Sequence, residues 1–195
     1  EKGYHPFSVF TVKTANGLII RVSALCDEAS IIPETLCKLK NIKVFGASEL
    51  INIINFESAA PINADDSEKY INERSCILEF VTPAMVKTKG KPSANPDICG
   101  YFRSVINKYN TFEHDMISFD EFQEAFSNAD IGSYYLESTK YNVSGVIFPG
   151  MIGSCKISFP LDKLQNTILR RIIAYATYSG LGGKTSQGMG GLVVR

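Results

Sequence analysis

Residues 131–159 read IGSYYLESTKYNVSGVIFPGMIGSCKISF. Their dense β-branched and aromatic residues predict two long strands, Ile131 to Val143 and Val146 to Phe159, joined near Ser144-Gly145. Pro149-Gly150 predicts a bend or bulge in the second strand. A helical pattern lies on each side of the pair. Ile98, Tyr101, Phe102, Val105, Ile106 and Tyr109 recur at helical spacing, so 97–109 is expected to be an amphipathic helix. Leu161, Leu164, Ile168, Ile172 and Tyr175 predict another helix over 161–179. Before the strand pair, Ser118 with Glu121 is a capping box opening a short helix, with Phe119, Phe122 and Phe126 on one side.

A strand from Cys76 to Val81 opens this half, and a short strand from Leu192 to Val194 closes it. Strand, helix, strand, strand, helix, strand is the β-α-β-β-α-β order of a ferredoxin-like domain. The first half reads as strand Phe7 to Lys13, an Asn16-Gly17 hairpin turn and strand Gly17 to Leu25. A helix from Asp27 to Leu39 follows, with Pro33 tolerated in its first turn. Short strands are expected at Ile42 to Phe45 and Leu50 to Phe56. This is the same order without its opening strand and helix. Residues 57–74 are polar and acidic, and they predict a linker. The expected architecture is α+β: tandem ferredoxin-like (RRM-like) domains with antiparallel sheets, 1–74 truncated and 75–195 complete. The chain starts at Glu1 rather than Met, which leads us to expect an upstream strand and helix.

Composition limits the function classes. The 195 residues hold 20 basic and 20 acidic side chains, so no polyanion-binding tail is visible. The basic and acidic counts are 8 and 10 in 1–74, and 12 and 10 in 75–195. No run of 18 apolar residues suggests a membrane span. Cys26, Cys37, Cys76, Cys99 and Cys155 are scattered and form no C-x-x-C. The spacing argues against a disulfide framework or a metal site, and for reduced thiols in a cytoplasmic protein.

Residues Tyr178 to Gly191 hold six glycines around Lys184-Thr185-Ser186. Glycines let main-chain N–H groups approach an anion closely. Lys184 adds a charge, and Thr185 and Ser186 add hydroxyls, so a phosphate cradle is expected. Two glycines would suffice for a helix cap and a tight turn. Gly183-Lys184-Thr185 is not a Walker A loop, because Tyr178 stands where that motif needs glycine, and a helix precedes the loop.

The stretch Tyr178 to Leu192 resembles the C-terminal glycine-rich signature of the CRISPR repeat-processing endoribonucleases of the RAMP superfamily. Phe80-Val81-Thr82-Pro83 with the following lysine-rich loop, Pro96-Asp97 to Tyr109, and Pro149-Gly150-Met151-Ile152-Gly153 resemble further segments of that family. The likeness covers 75–195 well and 5–56 loosely. The resemblance implies a protein that binds CRISPR precursor RNA and cuts its repeat without a metal or cofactor, leaving a 2′,3′-cyclic phosphate. It also implies a monomer or homodimer with no membrane partner, and a CRISPR effector complex as a further partner. A non-catalytic RNA-binding RAMP-superfamily protein is the alternative.

The resemblance carries candidate residues with it. His5 precedes Pro6-Phe7-Ser8, where the family places its catalytic histidine or a nearby basic residue. The histidine itself is otherwise expected upstream. Tyr4 and Lys2 are candidates for orienting or charge-stabilising roles. His114, among acids, reads as a solvated loop residue. Candidate RNA contacts are Lys87, Lys89 and Lys91, whose alternation would put them on one face of an extended segment. Gly180, Gly182, Gly183, Lys184, Thr185, Ser186, Gly188 and Gly190 join them. Tyr101, Phe102 and Tyr109 read as core, and Arg170 and Arg171 as complements to a helix dipole.

Overall fold

Alternate residues of two strands build the centre of the protein. In the computed structural model, Cys76, Leu78 and Phe80 of β5 (Ser75–Ala84) are buried. So are Met151, Cys155 and Ile157 of β9 (Val146–Ser158). The structure describes residues 3–15, 17–43, 50–95 and 97–195. With β8 (Asp130–Val143) and β10 (Leu192–Val194), these strands form one antiparallel sheet in the order β10-β5-β9-β8. This is the ferredoxin-like order, in which the first and third strands are central. Helices α2 (Ile98–Phe112) and α4 (Lys163–Ser179) supply the other side of the core through Tyr101, Phe102, Val105, Ile106, Tyr109, Leu169, Ile172 and Ile173. The aromatic stripe of α2 is therefore core, as its spacing predicts. Burial of each large apolar side chain stabilises by roughly 1.5–3 kcal/mol.

Local signals set the element ends. Asp97 caps α2 by accepting from the Gly100 N–H at 3.2 Å. Ser118 and Glu121 make the expected reciprocal capping box on α3 (Phe119–Ser127). Asp162 accepts from the Gln165 N–H at 2.9 Å, so α4 starts at Lys163 and not at 161. β5 runs past Val81 to Ala84. A register shift between Phe80 and Ala84 accommodates Pro83, which has no N–H to give to the ladder.

Among the described residues, the first half forms two small antiparallel sheets. One pairs β1 (Phe7–Thr14) with β2 (Gly17–Ala24), and the other pairs β3 (Asn41–Lys43) with β4 (Leu50–Asn52). The Asn16 half of the turn signal, Val44 and Phe45 lie outside the described residues. The long helix expected over 27–39 is instead a 3-10 turn, Asp27–Ala29, followed by α1 (Ile31–Leu36). None of the α1 residues is buried, so no apolar face extends it. Pro33 does lie in its first turn. The strand expected over 50–56 ends at Asn52, and Ile54 is exposed.

The acidic segment 57–74 is not wholly a free tether. Its 3-10 stretch Ala64–Tyr70 packs on α4. Arg170 is buried and donates to the Glu68 carbonyl at 2.6 Å and the Ile71 carbonyl at 3.1 Å. Arg171 pairs with Glu68 at 3.6 Å and Asp115 at 3.7 Å. Both arginines, expected to complement the helix dipole, clamp this segment instead. Arg170→Met should lower stability by about 1–3 kcal/mol, because it orphans two carbonyls. Urea unfolding would show the loss. Hydrogen exchange should locate faster opening in 64–71.

Candidate functional site

The glycine-rich loop leaves α4 through Gly180, whose N–H donates to the Ala176 carbonyl at 2.9 Å. It then closes on itself and on the end of β5. Leu181 N–H donates to the Gly190 carbonyl at 2.7 Å, Gly183 N–H to Met85 at 2.8 Å, and Gly190 N–H to Pro83 at 2.9 Å. Gly191 N–H donates to Thr82 Oγ1 at 2.7 Å.

Close packing explains the glycines. Gly182 and Gly190 have φ of 72° and 73°, and a Cβ on either would strike the Met85 or the Leu181 carbonyl oxygen. This corrects the picture of an open cradle. Gly180, Gly182 and Gly190 are buried, and the N–H groups of Gly180, Gly183 and Gly190 already have protein acceptors. Thr185 is buried too. Lys184 is exposed, and Gly183, Ser186 and Gly188 are half-buried.

Beneath the loop lies a lysine that the sequence reading passed over. Lys108 of α2 is 4% exposed. Its Nζ donates to the Ser179 carbonyl at 2.6 Å, the Gly180 carbonyl at 3.2 Å and Thr185 Oγ1 at 2.9 Å. Three acceptors match the three N–H bonds of an ammonium. Burial pushes its pKa down to about 7. A signal was available: Lys108 follows Val105 by three and Tyr101 by seven, which sets it on the apolar stripe of α2.

The preceding residue, Asn107, reaches the other candidate group. Its Nδ2 donates to the Tyr4 hydroxyl at 2.9 Å. Adjacent residues of α2 thus hold the N-terminal segment and the glycine loop. β1 reinforces this link. Ser8 Oγ donates to the Tyr178 carbonyl, and Phe10 lies where a Cβ on Gly191 would go. The Arg21 guanidinium stands 5.9 Å from the Phe10 ring centroid and 5.5 Å from that of Tyr178. His5 is exposed, its ring 5.9 Å from that of Phe7. Lys2 lies outside the described residues.

The three alternating lysines do not share a face. β6 (Val86–Thr88) pairs with β7 (Lys91–Ser93) around a turn at Lys89-Gly90, where both residues have positive φ. Lys87 lies opposite Pro92 and Thr88 opposite Lys91. Cross-strand partners share a face, so Lys87 and Lys91 point to opposite sides of the hairpin and Lys89 sits at its tip. The expectation treated the segment as one extended strand, whereas the chain reverses within it. His114 is exposed between α2 and α3, as expected.

Lys108→Met should release the loop, and hydrogen exchange should speed up across 180–191. The variant should also change the pH dependence of stability. With its native pKa below the unfolded value of about 10.4, Lys108 makes stability rise with pH from about 7 to about 10. Below about 7 both states are protonated, and this contribution is flat. Urea midpoints of wild type and Lys108→Met should therefore change their difference in wild type's favour across that window.

The comparisons with known proteins fall on these same elements. A family model described as CRISPR-associated endoribonuclease Cas6 matches residues 78–192, more than half of the chain. A CRISPR-associated endoribonuclease Cas6 of Streptococcus thermophilus is 25% identical over 163 residues. That match takes in 83% of this chain and 62% of the relative's length. Among solved structures, a Cas6 product complex matches with a TM-score of 0.80 at 18% identity, covering 100% of this chain and 84% of that one. A Thermus thermophilus Cas6 matches with a TM-score of 0.74 at 20% identity, covering 97% and 79%. These likenesses show the shared tandem ferredoxin-like fold. The chain belongs to the CRISPR-associated endoribonuclease Cas6 family.

Proposed function

We propose that this chain binds CRISPR repeat RNA and cleaves it without a metal ion, yielding guide RNAs that end in a 2′,3′-cyclic phosphate. The ribose 2′-hydroxyl attacks the adjacent phosphorus, and the bond to the 5′-oxygen of the next nucleotide breaks. A base takes the 2′ proton, and an acid protonates the leaving oxygen to give a 5′-hydroxyl product. A cation stabilises the charge on the phosphorane.

His5 is the candidate for proton transfer, Tyr4 for orientation and Lys2 for charge stabilisation. The second half, 75–195, holds the RNA through Lys184, Ser186, Gly183 and Gly188 of the loop, and through Lys87, Lys89 and Lys91 of the β6–β7 hairpin. Thr185, Gly180, Gly182 and Gly190 shape the loop from inside.

One observation carries the proposal beyond the family match. Asn107 of α2 bonds Tyr4 and the next residue, Lys108, bonds the Gly180 carbonyl and Thr185 of the loop, so one helix anchors both the segment of Tyr4 and the glycine loop. A second possibility, RNA binding without cleavage, is favoured by the exposure of His5, which makes no hydrogen bond among the described residues.

Incubation with repeat RNA in chelator separates the two. Cleavage is expected, and a 2′-deoxy substitution at the cut site should abolish it. Unchanged cleavage of the deoxy substrate would refute the mechanism. Binding with no cleavage would leave the RNA-binding alternative. His5→Ala should lower the cleavage rate by about 10²–10⁴-fold if the imidazole transfers a proton.

Lys184→Ala should weaken binding and reduce the slope of log affinity against log salt by about one phosphate's worth. An unchanged slope removes Lys184 from the contact set.

A further inference from the structure

Tyr141 of β8 and Phe148 of β9 are direct cross-strand partners near the hairpin turn. Their side chains therefore stand side by side on one face of the sheet. That face is turned away from the helices, because the alternate residues Met151, Cys155 and Ile157 point into the core. Both rings are half-buried.

The glycine loop meets this pair. The Tyr141 hydroxyl fills the space that a Cβ on Gly188 would need. Lys184 Nζ stands 5.4 Å from the centroid of the Phe148 ring. Lys184 holds a left-handed backbone at φ 65°, a conformation that residues other than glycine rarely adopt. Among the described residues no carboxylate pairs with its ammonium. An aromatic pair and an unneutralised cation thus lie together at the rim of the loop.

We infer that Phe148, Tyr141 and Lys184 form a subsite for one unpaired nucleotide, its base stacked on Phe148 and its phosphate on Lys184. This rests on the RNA-binding function proposed above and names a part of the RNA that function would engage. Every base has a π-face, so the subsite takes a base without reading its sequence. A paired stem cannot occupy it, because the base must leave its own stack to lie on the ring. Tyr141 supports the edge of the platform and fixes Gly188 beside it. The ligand is a single-stranded segment of the repeat RNA.

The test uses repeat RNA carrying 2-aminopurine at successive unpaired positions, and the same RNA with an abasic site at each. With wild type, one position should show strong fluorescence quenching, and an abasic site there should weaken binding. Phe148→Leu should lose that quench and bind about 5- to 150-fold more weakly, the equivalent of one stacked base. Phe148→Tyr, which keeps an aromatic face, should retain both. The abasic site should cost Phe148→Leu nothing more.

If no unpaired position is quenched in an RNA that wild type binds, the subsite is refuted while RNA binding stands. If Phe148→Leu loses affinity equally for intact and abasic RNA, the ring is a structural support for Lys184, and the subsite is again refuted. Wild type that binds no repeat RNA overturns the proposed function and the subsite together. The quenching and abasic measurements on wild type decide the matter even if the leucine variant folds poorly.

Discussion

A lysine ammonium sealed beneath a glycine loop is the constraint on which the candidate site depends. Taking a charge out of water costs several kcal/mol unless hydrogen bonds replace its hydration. Lys108 offsets part of that cost with two main-chain carbonyls at the end of α4 and one hydroxyl in the loop, and burial still lowers its pKa to about 7. The three acceptors must converge for the charge to be tolerated, so the helix end and the loop are held in one relative position. The same bond set draws Thr185 inward. Its neighbour Lys184, in a left-handed conformation, is left at the surface. One buried cation thereby decides which of two adjacent residues can meet a ligand.

The glycines serve that arrangement sterically. A Cβ at 182 or 190 would strike backbone oxygens, and one at 191 would enter the Phe10 ring. Sequence shows that a chain needs close approach at such positions, but not what approaches. A phosphate and the protein's own backbone make the same demand on composition. Here the nearest neighbours are Met85, Leu181 and Phe10, all from this chain. Between Gly183 and Gly188 the loop turns Lys184 outward and keeps Gly183, Ser186 and Gly188 half-buried, so the chemistry it offers outward rests more on Lys184 and Ser186 than on the glycines.

The fold of the second half was legible because its signals are local and repeated. Alternation in β5 and β9, helical spacing in α2 and the Ser118–Glu121 box each depend on neighbours within a few residues. The β-α-β-β-α-β order follows from them. What was not legible depends on pairing. Lys87, Lys89 and Lys91 alternate as if on one strand, yet the chain reverses at Lys89-Gly90 and separates Lys87 from Lys91. Lys108 was masked in another way. A lysine on an apolar stripe is usually a tolerated edge residue with its head in water, and only the tertiary arrangement supplies the three acceptors that let it stay inside. The Tyr141–Phe148 pair needed the register of β8 on β9, which hydrophobic pattern does not specify to a single residue over so long a hairpin.

Charge balance looks different once the structure assigns each cation. Of the twelve basic residues in 75–195, Lys108 lies under the loop and Arg170 and Arg171 clamp the 64–71 segment. Arg103 stacks 3.6 Å from the Phe119 ring centroid, and Arg195 pairs with Glu79 at 2.7 Å. Those five cations serve the fold. In the function proposed, polyanion contact falls to the others, chiefly Lys184 and the hairpin lysines, which sit on separate elements. A chain whose 20 basic residues are matched by 20 acidic ones gains little from long-range attraction. In the function proposed, affinity for RNA rests on short-range contacts in which position matters more than charge, and a base lying on an aromatic ring beside a single ammonium is a contact of that kind.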